Sequence, residues 1–476
     1  MQVTYQNRVG HTAVPSADAA QQVQVLNPAT GEPVARVDWA SVDTVKDAVA
    51  QAAHAQTAWR RMPAIARAQA MRQWGRAIRA RQDEIAQALA LESGKSLADA
   101  LAEVGYALEI LDYHIEWARR IEGEIIPSDQ AQEQLLLYRE PLGVVACLIP
   151  FNFPIYTLMR KVAPALITGN TVLVRPSNHT PCSALVLARS LQTGALPPGV
   201  VSIMAMDHPV CEVMCTEEPV AMLSLTGSLQ AGRQMLAYAQ SNMARTSLEL
   251  GGKTPAIVAP DADLQQAARE IVRSRLTHAG QLCTAVERVI AHQAIYPALL
   301  ALIAEHMQAQ AVGDRALDAS HMGPLVNAQA RERIHAMVQR AQEQGARLLT
   351  GGHLLPGPGF FYPPTLLADC RQDMEIIREE VFGPVLAVMP CADMDHALEL
   401  ANDHQFGLSA VLYTQDHRIV QRFSREIEAG ELYVNRTPAD PYQGYHAGWK
   451  RSGLGGDDGK HGMLQFTQTR LVVLPY

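Results

Sequence analysis

A chain of 476 residues, 48% hydrophobic and 18% charged, is too long for one core and too apolar for disorder, so two or three folded domains are expected. A net charge of −8 with no long basic run excludes the electrostatic footprint of a nucleic-acid-binding protein. The polar start, 1–22, lacks the apolar centre of a signal peptide, no later stretch stays apolar long enough to cross a bilayer, and the seven scattered cysteines lack C-x-x-C spacing, so a reduced, metal-free cytoplasmic protein is expected.

In chain order, Asn27-Pro28-Ala29-Thr30-Gly31-Glu32 is a turn between two short strands, because proline fixes φ and glycine admits positive φ. Ser41 is the expected N-cap of a helix carrying Val45, Ala48, Val49, Ala52 and Ala53 on one face. Helical patterns continue over 64–93 and 97–119, separated by Gly94 and Ser96. Extended segments at 122–127 and 134–140, around Ser128-Asp129-Gln130, predict a hairpin.

From Val144 onward, strand-like runs at 144–149, 171–175, 201–206 and 222–226 alternate with helical runs at 154–167, 181–192 and 229–239, which predicts a parallel sheet covered by helices. A second alternation over 254–435 predicts another α/β unit, with strands at 255–258, 385–389, 408–413 and 431–434 and helices at 263–277, 297–307, 330–343, 393–401 and 418–427. The tail 464–474 reads as a terminal strand pairing with the hairpin, within one subunit or across two.

Ligands of open parallel sheets bind beyond the carboxyl ends of the strands, which draws attention to two loops. Leu225-Thr226-Gly227-Ser228-Leu229-Gln230-Ala231-Gly232 would present free N–H groups to a phosphate at a helix start. It is not G-x-G-x-x-G, and an ordinary strand-to-helix turn fits it equally. Arg175-Pro176-Ser177-Asn178 ends a strand where an adenosine ribose would lie, and it is also a plain turn sequence. The stretch from Ala279 to Ala285 lifts Cys283 beyond a helix that Gly280 stops. A thiol so presented is a candidate nucleophile, although cysteine is more often an inert buried hydrophobe.

Phe151-Asn152-Phe153-Pro154, Leu248-Glu249-Leu250-Gly251-Gly252-Lys253 and Gly280-Gln281-Leu282-Cys283 resemble the signatures of the aldehyde dehydrogenase family, in that family's order. Glu380-Val381-Phe382-Gly383-Pro384 and the Gly227 to Gly232 loop resemble two further motifs of the family, so the resemblance spans nearly the whole chain. It implies an α/β fold with a cofactor-binding domain (1–120 and 142–250), a catalytic domain (251–455) and a small β oligomerisation domain (121–141 and 456–476). It also implies NAD or NADP as cofactor and a homodimer or homotetramer as the assembly.

The chemistry such an enzyme needs matches these residue types. A thiolate turns the aldehyde carbon into a hydride donor and leaves a readily hydrolysed thioester, the role the resemblance gives Cys283. Asn152, with the backbone N–H of Cys283, is the implied oxyanion donor; losing such a donor costs roughly 2.7–4 kcal/mol in the barrier. By itself Asn152 also reads as a cap for the helix that Pro154 opens. Glu249, projecting opposite Leu248 and Leu250, is the implied base that activates water, which favours hydrolysis over transfer to coenzyme A. Ile149, Pro150, Phe151, Arg175, Ser177, Asn178, Gly227, Ser228, Gly232 and Leu250 are expected around the cofactor, with Glu380 on the nicotinamide ribose and Phe382 beside its ring.

One departure concerns the cofactor. Where the family usually has Lys-Pro-Ser-Glu, this chain has Arg175-Pro176-Ser177-Asn178, which removes a carboxylate that would repel a 2′-phosphate and supplies an arginine to pair with one. NADP, or both cofactors, is therefore open, and a neutral Asn still hydrogen-bonds the diol of NAD.

Tyr156 and Arg160, at i and i+4 on the helix opened by Pro154, are expected at the substrate together with Phe153 and Thr284. The run 435–449 resembles the lactaldehyde and glycolaldehyde dehydrogenase branch, whose arginine, acid and histidine correspond to Arg160, Asp440 and His446. Thr284 replaces an Asn of that branch and Asp440 is shorter than its Glu. A small polar or hydroxylated aldehyde is the expected substrate. The alternatives are an anionic aldehyde held by Arg160, such as succinic semialdehyde or a carboxy- or sulfo-benzaldehyde, and a thiol hydrolase with no redox step.

Overall fold

The structure is a computed structural model that describes residues 3–16 and 22–475; residues 1, 2, 17–21 and 476, part of the polar start and of the tail, lie outside it. The Asn27 turn closes as expected, Asn27 N donating to Glu32 O at 2.8 Å and Gly31 taking φ 74°, so that Gln22–Leu26 and Pro33–Asp38 pair antiparallel. Four helices follow: Val42–Arg61, Ala64–Arg79, Gln82–Ser93 and Leu97–Glu116. The expected continuous helix over 64–93 is broken at Ala80 and Arg81; Arg81 leaves helical geometry at ψ 11°, which lets the buried Ile85 and Leu89 face the core from a new direction.

Five parallel strands form the centre of the first sheet, in the spatial order Arg245–Glu249, Val220–Thr226, Val144–Leu148, Thr171–Arg175 and Val201–Ile203, with Asn7–Val9 and Thr12–Val14 added antiparallel beyond the last. From Val144–Leu148 the chain first builds outward on one side, then returns to the other, so the strand order reverses beside it; such a switch point leaves a crevice at the carboxyl ends. Gly453–Leu454, assigned to the catalytic domain in the sequence reading, pairs antiparallel with Arg245–Glu249 at the edge of this first sheet. Helical 181–192 is shorter than expected, Cys182–Ala188 followed by a 3-10 turn, and the strand 201–206 ends at Ile203.

The second sheet runs Thr365–Ala368, Val385–Cys391, Arg288–His292, Pro255–Val258, Ser409–Tyr413 and Glu431–Val434, all parallel, with Arg347–Thr350 antiparallel at one edge. Its central strands are buried on both faces, as continuous apolar runs require. Arg288–His292, Thr365–Ala368 and Arg347–Thr350 were not foreseen: each is a run of four or five residues, too short for its periodicity to stand out, although Gly345, Gly351-Gly352 and Pro363-Pro364 punctuate the last two. In the third sheet Thr467–Pro475 pairs antiparallel with Glu133–Pro141, which pairs with Glu124–Ile126, so hairpin and tail join within one chain. Among the described residues no helix is long and apolar enough to cross a membrane.

Candidate active site

The helix Leu264–Leu276 is capped by Asp263, which accepts from Gln266 N, and it ends in a tight turn where His278 and Ala279 take φ 49° and 53°. Left-handed non-glycine residues cost on the order of 1–3 kcal/mol each and persist only when the surroundings impose them. Buried Gln281 does so, accepting from Val326 N at 2.9 Å and donating to Pro324 O at 3.2 Å, while Arg275 donates to Gly280 O. Gly280 has φ 74°, and a Cβ there would lie 2.4 Å from Gly383 O, so a side chain has no room. The turn leaves Cys283 half-buried at the head of its loop.

Asn152 follows the strand Val144–Leu148 and reaches the same loop, its Nδ2 donating to Gln281 O at 2.9 Å. Its backbone carbonyl accepts from Lys95 Nζ at 2.6 Å, and Lys95 is paired with Glu103 at 2.5 Å. The other oxygen of Glu103 accepts from Ile155 N and Tyr156 N at 2.9 and 3.2 Å, placing a carboxylate at the N-terminus of the helix Pro154–Ile167, where unpaired N–H groups favour one. Phe153 packs under Lys95 Nζ, 3.7 Å from the ring centroid, and edge-on to His278.

Glu249 ends the strand Arg245–Glu249 and is buried with His446; its Oε2 lies 2.8 Å from Nε2 of the imidazole, while Oε1 has no partner. His446 Nδ1 faces Glu431 Oε1 at 2.9 Å and Asp440 Oδ2 at 3.7 Å. Burial alone would lower the imidazole pKa, but Glu249, Asp440 and Glu431 override it and hold His446 well above its ordinary value. Burial raises the Glu249 carboxyl, with His446 pulling against it, and burial raises the Cys283 thiol, with the same imidazole pulling against it. Tyr433 donates to Glu431 Oε2 at 2.9 Å.

Arg160 does not stand free. Its Nε donates to Asp458 Oδ1 at 2.9 Å, its Nη2 bonds the other oxygen of Asp458, and Asp440 lies 3.6 Å away. The neighbouring Lys161 is paired with Asp457 at 2.9 Å, so two consecutive cations of one helix meet two consecutive acids of the C-terminal segment. Tyr156 packs along the guanidinium, 5.3 Å from ring centroid to Cζ.

At the crevice of the first sheet, Gly227 N donates to Glu249 O at 2.9 Å and Ser228 caps the helix Leu229–Asn242. A Cβ on Gly232 would meet Leu250 Cδ1 at 2.7 Å, so helix and strand end touch through a glycine. Arg175 Nη2 donates to Asn178 Oδ1 at 2.8 Å, while its buried Nε and the buried Thr226 Oγ1 have no partner. Ile149 N donates to Arg175 O, and Ser177 Oγ accepts from His179 N. Across the crevice Glu380 accepts from Gly252 N at 3.2 Å, its carboxyl pushed up to about 7 by burial and by Glu287. Phe382, at φ 51°, stands edge-to-face with Phe151 at 5.8 Å. Glu287 accepts from Val381 N and Phe382 N at 2.9 Å each and is locked between Lys253 and Arg275 at 2.6 and 3.0 Å. Burial raises Glu287, yet the two cations win and bring it down to about 2.

A helix start with glycines, an arginine with an orphaned donor at one end and a carboxylate at the other fit an extended, phosphate-bearing cofactor. The sequence model of the aldehyde dehydrogenase family matches residues 14–472. The chain belongs to the aldehyde dehydrogenase family. Lactaldehyde dehydrogenase of Escherichia coli (strain K12) is 42% identical over 454 residues, 95% of each chain. A crystal structure of lactaldehyde dehydrogenase from Escherichia coli superposes with a TM-score of 0.97 at 40% identity over all of both chains. A structure of 3,6-anhydro-L-galactose dehydrogenase in complex with NAP gives 0.95 at 37% identity, covering 99% of this chain and all of that one. Aldehyde dehydrogenases are NAD(P)-dependent oxidoreductases, and this chain is one of them.

Within this aldehyde dehydrogenase the structure gathers Cys283, Asn152 and Glu249 with His446, Asp440, Arg160 and Tyr156 in one contiguous network, while Thr284 is buried next to Cys283. Pro150, Phe151 and Leu250 lie on the crevice side, half-buried, half-buried and buried respectively. Glu431, Asp457, Asp458 and Glu287 were not anticipated. Only Asp457-Asp458 carried a sequence signal, an acid pair complementary to Arg160-Lys161.

Proposed function

We propose that this aldehyde dehydrogenase oxidises a small hydroxylated aldehyde, of the size and polarity of lactaldehyde or glycolaldehyde, to its carboxylate. The observation that carries this reading is the pairing of Arg160 with Asp458 and Asp440: the cation that would hold an anionic aldehyde is already matched inside the protein. What bears on Cys283 instead is a set of polar groups, Asp440 and His446, with Tyr156 neighbouring both, suited to a hydroxyl.

In this mechanism Cys283 Sγ, as thiolate, bonds to the aldehyde carbon and the carbonyl electron pair moves to oxygen. Asn152 Nδ2 and the Cys283 N–H stabilise that oxyanion. Bound NAD(P) would supply the hydride acceptor; Arg175, Ser177 and Asn178 would hold its adenosine end, Gly227, Ser228 and Gly232 its phosphates, and Glu380 and Phe382 its nicotinamide end. As the carbonyl re-forms from the oxyanion, the C–H bond of the former aldehyde carbon breaks with loss of hydride, and Cys283 is left carrying a thioester. Glu249 Oε1, the oxygen without a protein partner, takes a proton from water as the new C–O bond forms, and collapse breaks the C–S bond and returns the thiolate. No acyl acceptor other than water enters this reading.

The same proposal assigns the first sheet, with residues 1–120 and 142–250 and the returning Gly453–Leu454, to cofactor binding, and the remainder of 251–455 to catalysis. Within 121–141 and 456–476, Glu124–Ile126, Glu133–Pro141 and Thr467–Pro475 are its oligomerisation strands, in a homodimer or homotetramer. Exposed Ile125 and Tyr138 on one face of the third sheet, and Leu471 and Val473 on the other, support an assembly, since so much exposed apolar surface on one small sheet is seldom left to water. Free cysteines throughout the described chain suit a reducing cytoplasm. The test is cofactor reduction with lactaldehyde, glycolaldehyde and succinic semialdehyde: the hydroxyaldehydes should show the higher kcat/KM, and a preference for succinic semialdehyde would reverse the assignment.

A further inference from the structure

We infer that His446 is the charged centre of this active site, an imidazolium that Glu431 and Asp440 maintain, serving the Cys283 thiolate before acylation and orienting Glu249 for hydrolysis afterwards. Glu431 is then a positioning residue acting through His446. The second half of this inference rests on the proposed aldehyde oxidation; the first half does not.

The argument begins with the two ring nitrogens. Nε2 is 2.8 Å from Glu249 and Nδ1 is 2.9 Å from Glu431. A neutral imidazole carries one N–H, so one of these contacts would set a nitrogen lone pair against a carboxylate oxygen. Only the doubly protonated ring donates to both. Glu431 is itself an acceptor on each side, from His446 through Oε1 and from Tyr433 through Oε2, which suits its ionised form.

The charges around the ring come from every element packed on it. Glu249 faces it from the first sheet, Glu431 and Tyr433 from the strand Glu431–Val434, Asp440 from the loop that follows, and Arg160 and Tyr156 from the helix Pro154–Ile167. Asp457 bridges the His446 backbone and bears on Glu249 from behind. Arg160 is shared between Asp458 and Asp440, so of the three acids facing His446 one is partly matched by the guanidinium while Glu249 and Glu431 have the imidazole as the cation in contact with them, in a largely buried site.

His446 also bears electrostatically on the Cys283 thiol, so its charge opposes the burial that disfavours the thiolate. Once the thioester has formed, the same ring holds Glu249 by Oε2 and leaves Oε1 open for water. Glu431, Asp440 and His446 donors lie within 4.8 Å of one another, a spacing that also suits a cation, but protons on both ring nitrogens satisfy the same geometry.

The experiment is the pH profile of Cys283 alkylation by iodoacetamide in cofactor-free protein, with Cys283→Ala as background. In the wild type the profile should show no break between pH 6 and 7.5, where an ordinary imidazole near 6.5 titrates; a break there would overturn the inference. His446→Asn should raise the midpoint by at least about one unit, making alkylation at pH 7 about 10-fold slower. Glu431→Gln should introduce an imidazole break that Glu431→Asp removes. Thermal melting establishes that each variant is folded. If His446→Asn does not fold, Glu431→Gln and the wild-type profile decide, and unchanged profiles in folded variants contradict the inference. Dialysis against EDTA should leave the profile unchanged, and a shifted profile would mean that a metal, not a proton, sits between the three groups. A shifted variant profile without cofactor reduction by any aldehyde would leave the charge assignment standing and remove the proposed oxidation instead.

Discussion

Arg160 and Asp458, 298 residues apart in sequence, meet side by side through two N–H···O contacts in the buried interior beside Asp440. A bidentate guanidinium–carboxylate pair fixes both orientation and charge. Asp458→Asn would release the guanidinium towards substrate. The kcat/KM for succinic semialdehyde relative to lactaldehyde should rise about 10-fold or more, equivalent to roughly 1.4 kcal/mol of changed discrimination. An unchanged ratio in a folded variant would remove Arg160 from substrate choice.

Glu249→Gln removes the group that accepts a proton from water and spares the thiolate's attack. Stopped-flow mixing with aldehyde and NAD(P) should show one equivalent of reduced cofactor per active site followed by near-arrest. Loss of the burst as well would place Glu249 in the acylation half of the cycle.

The helices and strands that surround this chemistry were largely legible, because amphipathic periodicity and caps such as Ser41 and Asp263 act locally. Cys283, Glu249 and Asn152 were legible because they sit in motifs whose residue types suit the chemistry. Glu431 and Asp458 were not: each acts through a partner that chain folding alone brings close, and in sequence a glutamate opening a strand or an Asp-Asp pair flanked by glycines looks like solvated charge until its partner is known. Breaks such as Ala80-Arg81 escaped because tertiary packing, not a glycine or proline, ends that helix.

Asn178→Glu restores a carboxylate beside Arg175, whose Nη2 now bonds Asn178. Like-charge repulsion of about 1–4 kcal/mol across such a distance should lower the NADP-to-NAD ratio of kcat/KM about 10-fold. Steady-state kinetics with both cofactors measures it, and an unaltered ratio would place the 2′-position away from Asn178.

Glu380, pushed up to about 7 by burial and by Glu287, accepts hydrogen bonds fully only as a carboxylate. The KM for cofactor should therefore rise as pH falls below about 7, since protonation removes the acceptor. Glu380→Gln should raise KM throughout and abolish that limb, as read from KM at closely spaced pH values.

Lys253→Met leaves Glu287 buried with one cation fewer, and breaking such a pair typically costs about 3–5 kcal/mol. The melting temperature should fall. Because the folded Glu287 value, about 2, is below its unfolded value, the pair's contribution is present above the ordinary carboxylate range and is lost as pH falls towards 2. The gap between wild type and variant should accordingly narrow in acid.

The most direct measurement is cofactor reduction by the purified protein with lactaldehyde, glycolaldehyde, succinic semialdehyde and carboxybenzaldehyde, each with NAD and with NADP, beside Cys283→Ala. The proposed function predicts turnover with the two hydroxyaldehydes at the highest kcat/KM and none in the variant. Reduction that survives in Cys283→Ala, or that is confined to the anionic aldehydes, would contradict it.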